Sequence, residues 1–145
     1  MVLTGLLEEA EWQRVEKNSF AVSDSEVLGI DHLGSCIGVG IYDPQDSRTA
    51  LLHAGTRENT EIEEILDAFL EEIDFEWPYE ALAGGTISSD YDPLIEDDVY
   101  EQARETVGEA LEESGFRYQT AWNDRPVYNR MAVSPEHGIL YDETR

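Results

Sequence analysis

A single thiol and a histidine seventeen residues after it are the residues of this chain best suited to chemistry. Cys36 is the only cysteine among 145 residues and sits in the run Leu33-Gly34-Ser35-Cys36, ahead of the apolar stretch Ile37-Gly38-Val39-Gly40-Ile41-Tyr42. His53 follows at 53 − 36 = 17 residues, behind a second apolar run, Ala50-Leu51-Leu52. A cysteine with no second cysteine cannot be half of an intrachain disulfide. It is either a small buried hydrophobe or a nucleophile, and a nucleophile needs a base or a positive field beside it, because the thiolate is the attacking species. His53 could supply the base if the two strands pair as a hairpin and set the side chains next to each other. Gly34 and Ser35 would let a substrate approach closely and would leave backbone N–H groups to face a developing oxyanion. On spacing alone both readings stay open, and core filler is the commoner fate of an isolated cysteine or histidine.

The elements that must position this pair are readable from apolar periodicity. Phe20-Ala21-Val22 and Val27-Leu28-Gly29-Ile30 read as short strands, and Cys36 to Tyr42 as a buried strand closed by the turn Asp43-Pro44-Gln45-Asp46. Arg48 to His53 reads as its hairpin partner. Thr60 to Asp74 is predicted as a helix, because Ile62, Ile65, Leu66, Phe69, Leu70 and Ile73 recur at three- and four-residue spacing; Thr60 and Glu63 make its capping box. Ala81-Leu82-Ala83 reads as a strand running into Gly84-Gly85. A second helix is predicted from Asp97 to Ser114, with Val99, Ala103, Val107, Ala110 and Leu111 inward and Gly115 as its stop. Strands are expected at 116–122, 127–133 and 138–141, the last two joined by a turn at 134–138. Residues 2–16 are predicted as an amphipathic N-terminal helix, an extension of one domain covering 1–145.

The charge sets the environment. There are 33 acidic residues against 9 basic ones, a formal net charge of −24, and Lys17 is the only lysine. Self-repulsion at that density opposes compaction in dilute buffer and is screened by salt. The acids are spread over helices and loops, so the expectation is adaptation to a salty cytoplasm, as in a halophilic archaeon; an acidic nucleic-acid mimic or chaperone-like protein is the alternative. The melting temperature is expected to climb from dilute buffer to molar salt, and a salt-insensitive melt would refute this. No basic patch suits nucleic acid, and no apolar run approaches the length of a membrane span. The acidic N-terminus does not read as a signal peptide, so a cytoplasmic location is expected.

Other candidates are weaker. Asp90, Asp92, Glu96, Asp97 and Asp98 cluster around Pro93 without the spacing of a calcium-binding loop, and a solvated acidic loop is the simpler reading. His137 falls in a turn. Trp12, Trp77 and Trp122 read as packing residues. No phosphate loop, dinucleotide fingerprint or serine elbow is present, and no metal or cofactor is expected.

The run Leu33-Gly34-Ser35-Cys36-Ile37-Gly38-Val39-Gly40-Ile41-Tyr42-Asp43-Pro44, followed by His53, resembles the motif of the chemoreceptor glutamine deamidases, the CheD family. Ala83-Gly84-Gly85, the segment from Glu105 to Leu111 closing on Gly115-Phe116, Tyr128-Asn129-Arg130 before Met131-Ala132-Val133, and Gly138-Ile139-Leu140 resemble later parts of that family in order. The likeness runs from about Phe20 to the end. It implies an α/β (α+β) fold, a layered sandwich of packed mixed β-sheets with the two main helices outside. It also implies a cysteine-dependent hydrolysis of a protein glutamine side chain, with Cys36 as nucleophile, His53 as base, and Gly34 and Ser35 beside the oxyanion. The substrate would be a methyl-accepting chemoreceptor and a further partner a CheC-type phosphatase. The chain departs from the family at Ile30, where the family has a threonine; there the main-chain carbonyl of Ile30 would orient His53. The family's Gly-Gly is replaced by Arg125-Pro126 and a further glycine by Asn129. A catalytically inactive binding module that kept the fold is the alternative.

Overall fold

The computed structural model describes residues 11–56, 59–75, 78–86, 96–123 and 128–144. Nine strands and two helices occur among them: β1 (Trp12–Arg14), β2 (Ser19–Ser23), β3 (Val27–Ile30), β4 (Ile37–Asp43), β5 (Arg48–Ala54), α1 (Asn59–Glu72), β6 (Glu80–Thr86), α2 (Asp97–Glu113), β7 (Gln119–Asn123), β8 (Tyr128–Ser134) and β9 (Gly138–Thr144). The strands form two mixed sheets, β1-β3-β8-β9 and β2-β5-β4-β6-β7. The β1–β3 and β6–β7 pairs are parallel and the rest antiparallel. The fold is therefore the α+β layered sandwich expected from the sequence, with the helices outside the five-stranded sheet.

Strand alternation assigns residues to layers. On β4, Ile37, Val39 and Ile41 face the helices; on β5, Ala50, Leu52 and Ala54 do so. They pack against Ile62, Leu66 and Phe69 of α1 and Ala103, Val107 and Leu111 of α2. The opposite face meets the smaller sheet in a second core of Val15, Leu28, Ile30, Leu33, Cys36, Leu51, Met131 and Val133. Gly38 and Gly40 lie on that face, and a Cβ on either would come within 3.1 Å of Met131 Sδ or 3.0 Å of Val133 Cγ2 respectively. Their missing side chains are what let the two sheets close together beside Cys36.

The hairpin register is pinned at its turn. Asp43, only 2 % exposed, accepts from Arg48 Nε (3.2 Å) and Nη2 (3.1 Å) through Oδ2 and from the Gln45 N–H (3.0 Å) through Oδ1. Arg48 also bonds Asp74 Oδ1 at 2.6 Å and lies 4.6 Å from the Phe75 ring centroid, tying the turn to the segment after α1. A one-residue slip would swap the two faces of β5, so this register is what decides which layer His53 enters.

Several expectations change. The N-terminal segment is a strand where it is described: Trp12–Arg14 pairs with Val27–Gly29, and the rest of the expected helix, residues 2–10, lies outside the described residues. The parallel ladder along β3 outweighs the weak helical pattern of so short a stretch. In α1 the helix starts at Asn59, so Thr60 lies inside the first turn. In α2 the inward row is Tyr100, Ala103, Val107 and Leu111, with Val99 only half-buried. That helix ends in a Schellman motif: Gly115 takes φ +80°, its N–H donates to Glu112 O at 3.0 Å and the Phe116 N–H to Leu111 O at 2.9 Å. The cap consumes residues 115–116, which is why β7 starts at Gln119 rather than Phe116. Glu96, Asp97 and Asp98 are exposed at the start of α2, His137 is exposed in the β8–β9 turn, and Trp12 and Trp122 are half-buried against the cores. Asp90, Asp92, Trp77 and Arg125-Pro126 lie outside the described residues. Among the described residues no helix is long and apolar enough to cross a membrane.

Candidate active site

Cys36 closes a tight turn. Its N–H donates to Leu33 O at 2.8 Å, and Gly34 takes φ +58° at the first central position, the pattern of a type II′ turn that suits glycine there. The turn is held from three sides. The Leu33 N–H donates to Asn129 O at 2.8 Å, and the buried Thr56 hydroxyl donates to Ser35 O at 3.0 Å. Gly85, paired with Ile37, packs so closely that a Cβ there would lie 2.5 Å from the Cys36 carbonyl oxygen.

The hairpin brings the two predicted residues to one face. Gly38 pairs with His53 and Ile37 with Ala54. Cys36, two residues before Gly38, therefore shares the inter-sheet face with His53 and sits diagonally across the ladder from it. Diagonal neighbours are separated by about 7 Å between backbones, and no hydrogen bond joins Cys36 Sγ to His53 Nε2. Cys36 is 7 % and His53 8 % exposed.

The ring of His53 is oriented by a main-chain carbonyl. Its Nδ1 lies 3.0 Å from Val15 O, and since a carbonyl can only accept, Nδ1 carries the proton. Nε2 then keeps its lone pair, and it is buried without a hydrogen-bond partner. The orienting carbonyl is that of Val15, not that of Ile30. Ile30 pairs with Met131 in the β3–β8 ladder and its side chain fills the inter-sheet core at 1 % exposure. The chain leaving β1 passes between that ladder and β5, with the Val15 N–H on Gly29 O at 2.9 Å, so Val15 is the residue that reaches the ring.

The segment after Val15 continues around the site. The Asn18 N–H donates to His53 O at 2.7 Å, and Asn18 Oδ1 accepts from the Gly55 N–H at 2.9 Å, with Asn18 at φ +58°. Burial pushes the Cys36 thiol up from its ordinary 9.0, opposed by the nearby Lys17 ammonium. Burial pushes His53 down from 6.5; the bond to Val15 and the Glu16 carboxylate oppose this, whereas Lys17 and His32 add to it. At neutral pH the resting pair is a protonated thiol and a neutral imidazole. Such a pair suits general-base chemistry, in which the thiol gives up its proton as it attacks.

The shift of His53 has a consequence for stability. Well above pH 6.5 neither folded nor unfolded chain carries its proton. As the pH falls below that value the unfolded chain gains a proton that the folded one refuses, so stability is lost down to the folded pKa, at a limiting slope of about 1.4 kcal/mol per pH unit. Denaturant midpoints measured between neutral and mildly acidic pH should fall more for the wild type than for His53→Gln. Parallel curves for the two proteins would show that His53 titrates normally.

Val15, Lys17 and Thr56 belong to this site and were not among the residues singled out from the sequence. Only Lys17, as the sole lysine, carried a compositional signal. Of the predicted set, Cys36, His53, Gly34 and Ser35 come together, and Ile30 contributes packing. Among the described residues no group of three histidine, cysteine, aspartate or glutamate side chains is arranged to hold a metal ion.

No protein-family profile matches the chain, and no curated protein matches it. Among solved structures it is similar to the crystal structure of the Bacillus licheniformis hypothetical protein YfiH, with 15 % sequence identity and a TM-score of 0.48 over 79 % of this chain and 59 % of that one. The chain thus spans about 59 % of the length of that protein, as a distant match of fold.

Proposed function

We propose that the protein is a cysteine-dependent amidohydrolase that converts glutamine side chains of a protein substrate to glutamate. One observation carries this reading: His53 is held by Nδ1–H on Val15 O, leaving a buried, unpaired Nε2 on the sheet face that also bears Cys36. A histidine serving only as packing gains nothing from an unsatisfied buried nitrogen, which costs about 1–3 kcal/mol. In the reaction, Nε2 accepts the Sγ proton as sulfur bonds to the carboxamide carbon. The C–N bond then breaks, and the proton leaves with ammonia. Water adds to the thioester, the carboxylate is released, and the thiol is restored. The Cys36 N–H is engaged by Leu33 O, so the oxyanion donors fall to the N–H groups of Gly34 and Ser35. By resemblance to the CheD family, the substrate is a methyl-accepting chemoreceptor and a CheC-type phosphatase is a partner.

The test is to incubate the protein with a chemoreceptor cytoplasmic fragment in molar salt, then read ammonia release and amide-to-acid conversion by peptide mass spectrometry. Cys36→Ala should abolish both, and His53→Ala should slow them by about 10²-fold or more. Conversion that survives in Cys36→Ala, or none by the wild type, overturns the proposal. The second reading, a binding module without activity, is favoured by the raised thiol pKa and the engaged Cys36 amide. It requires Cys36→Ala to bind the chemoreceptor fragment as the wild type does while neither protein releases ammonia.

A further inference from the structure

The one lysine in a chain of net charge −24 lies between Val15 and Asn18, both of which bond His53. We infer that Lys17 is the electrostatic partner of Cys36, its ammonium stabilising the thiolate that attacks substrate. The inference deepens the proposed deamidation and rests on Cys36 being its nucleophile. The geometry is independent of any titration. A Cβ on Gly55 would lie 2.7 Å from Lys17 Cε and 3.6 Å from Nζ, so the lysine side chain is draped over Gly55. Gly55 follows Ala54 and Cys36 precedes Ile37, so the two are the first residues beyond the Ile37–Ala54 end of the hairpin ladder. The absence of a side chain at Gly55 is therefore what leaves room for the ammonium at the end of the hairpin that carries the thiol.

The base of Lys17 is fixed rather than loose. Val15, two residues before it, is pinned on both sides, by its N–H on Gly29 O (2.9 Å) and by its carbonyl on His53 Nδ1 (3.0 Å). Asn18, the next residue, is tied to His53 O (2.7 Å) and to the Gly55 N–H (2.9 Å). Lys17 forms no ion pair among the described residues and is exposed, so its charge is available at the edge of the site. The other charged or titratable groups acting there are Glu16 and His32, both exposed; Arg14 and Asp31, nearby in the chain, face each other at 3.8 Å.

Lys17 favours the less protonated form of both partners, thiolate for Cys36 and neutral imidazole for His53. It thus opposes the burial that keeps the thiol protonated, and it keeps Nε2 free to take the proton. The field of an exposed ammonium falls with ionic strength, so its influence is greatest in dilute buffer.

The experiment uses the full chain and needs no substrate. Alkylation of Cys36 by neutral iodoacetamide and by anionic iodoacetate is followed across mildly to strongly alkaline pH at fixed salt. In Lys17→Met the profile should move to higher pH, with alkylation on its rising limb slowed about threefold or more, and iodoacetate should lose more rate than iodoacetamide. Lys17→Arg should restore both readouts. Arg117→Gln, which removes one exposed positive charge elsewhere, should leave both unchanged. A Lys17→Met profile that superimposes on the wild type, or an equal shift in Arg117→Gln, overturns the inference. A Lys17-dependent profile in a wild type that releases no ammonia would instead count against the deamidase reading and leave Lys17 as a thiolate partner.

Discussion

Replacing Gly85 with alanine is expected to cost about 3 kcal/mol or more and to change the reactivity of Cys36 at the same time. Two effects add. Gly85 takes φ +147°, a conformation that a side chain disfavours, and the new Cβ would sit 2.5 Å from the Cys36 carbonyl oxygen. That oxygen is main chain and cannot rotate away. The Cys36 turn must move, and Thr56 holds it at Ser35 O while Asn129 holds it at Leu33. Gly115→Ala separates the two effects, because Gly115 has φ +80° but nothing within 4 Å of its Cβ position. Its cost should be about 1 kcal/mol. Denaturant unfolding of both variants checks the difference, and alkylation of Cys36 reports whether the turn has shifted. Equal losses in the two variants, with unchanged thiol reactivity, would show that the approach of β6 to the Cys36 turn carries no constraint.

Truncating Phe69 to alanine should cost about 3–5 kcal/mol, the usual penalty for emptying a fully buried aromatic site. Phe69 is 0 % exposed at the centre of the layer between α1 and the larger sheet, and its ring meets Phe20 edge-on with centroids 5.4 Å apart. Its neighbours Leu52, Ile62 and Leu66 belong to the same packed layer. The layer lies on the opposite face of the sheet from Cys36, so the folded fraction of Phe69→Ala should alkylate with the wild-type pH profile. Gly85→Ala is expected to change that profile, and the contrast between the variants locates each residue relative to the site. Destabilisation below about 1 kcal/mol would mean that the helical layer relaxes to fill the void. For a chain with so large a net charge, both measurements belong at one fixed salt concentration.

Much of the fold was legible because it rests on local repetition. The apolar rows of α1 and α2, the alternation along β4 and β5, and the Asp43-Pro44 turn each declare themselves within a dozen residues. The reading failed where a local pattern was short and a distant partner decided. Trp12–Arg14 is too brief to hold a helix against a parallel ladder with β3, and the buried position in the first turn of α2 went to Tyr100, which the count of aliphatic residues passed over. The tie between Ser35 and Thr56 had no signal, since hydroxyls of this type occur throughout the chain.

The site divides in the same way. Residue types alone establish which groups are available: one thiol, one histidine at hairpin distance, small residues ahead of the thiol, and a single lysine in a strongly acidic chain. They also set the hairpin, because the apolar alternation and the Asp43–Arg48 pair fix a register, and a register fixes which side chains share a face. What holds the base is set by long-range packing. Every residue has a carbonyl, and nothing in the residue types around position 15 distinguishes the one that meets His53. That choice follows from β1 lying parallel to β3 at the edge of the other sheet, which carries Val15 over β5 and Lys17 over Gly55. A side-chain orienter is written in the sequence as a residue type, whereas a main-chain orienter exists only as a position in space.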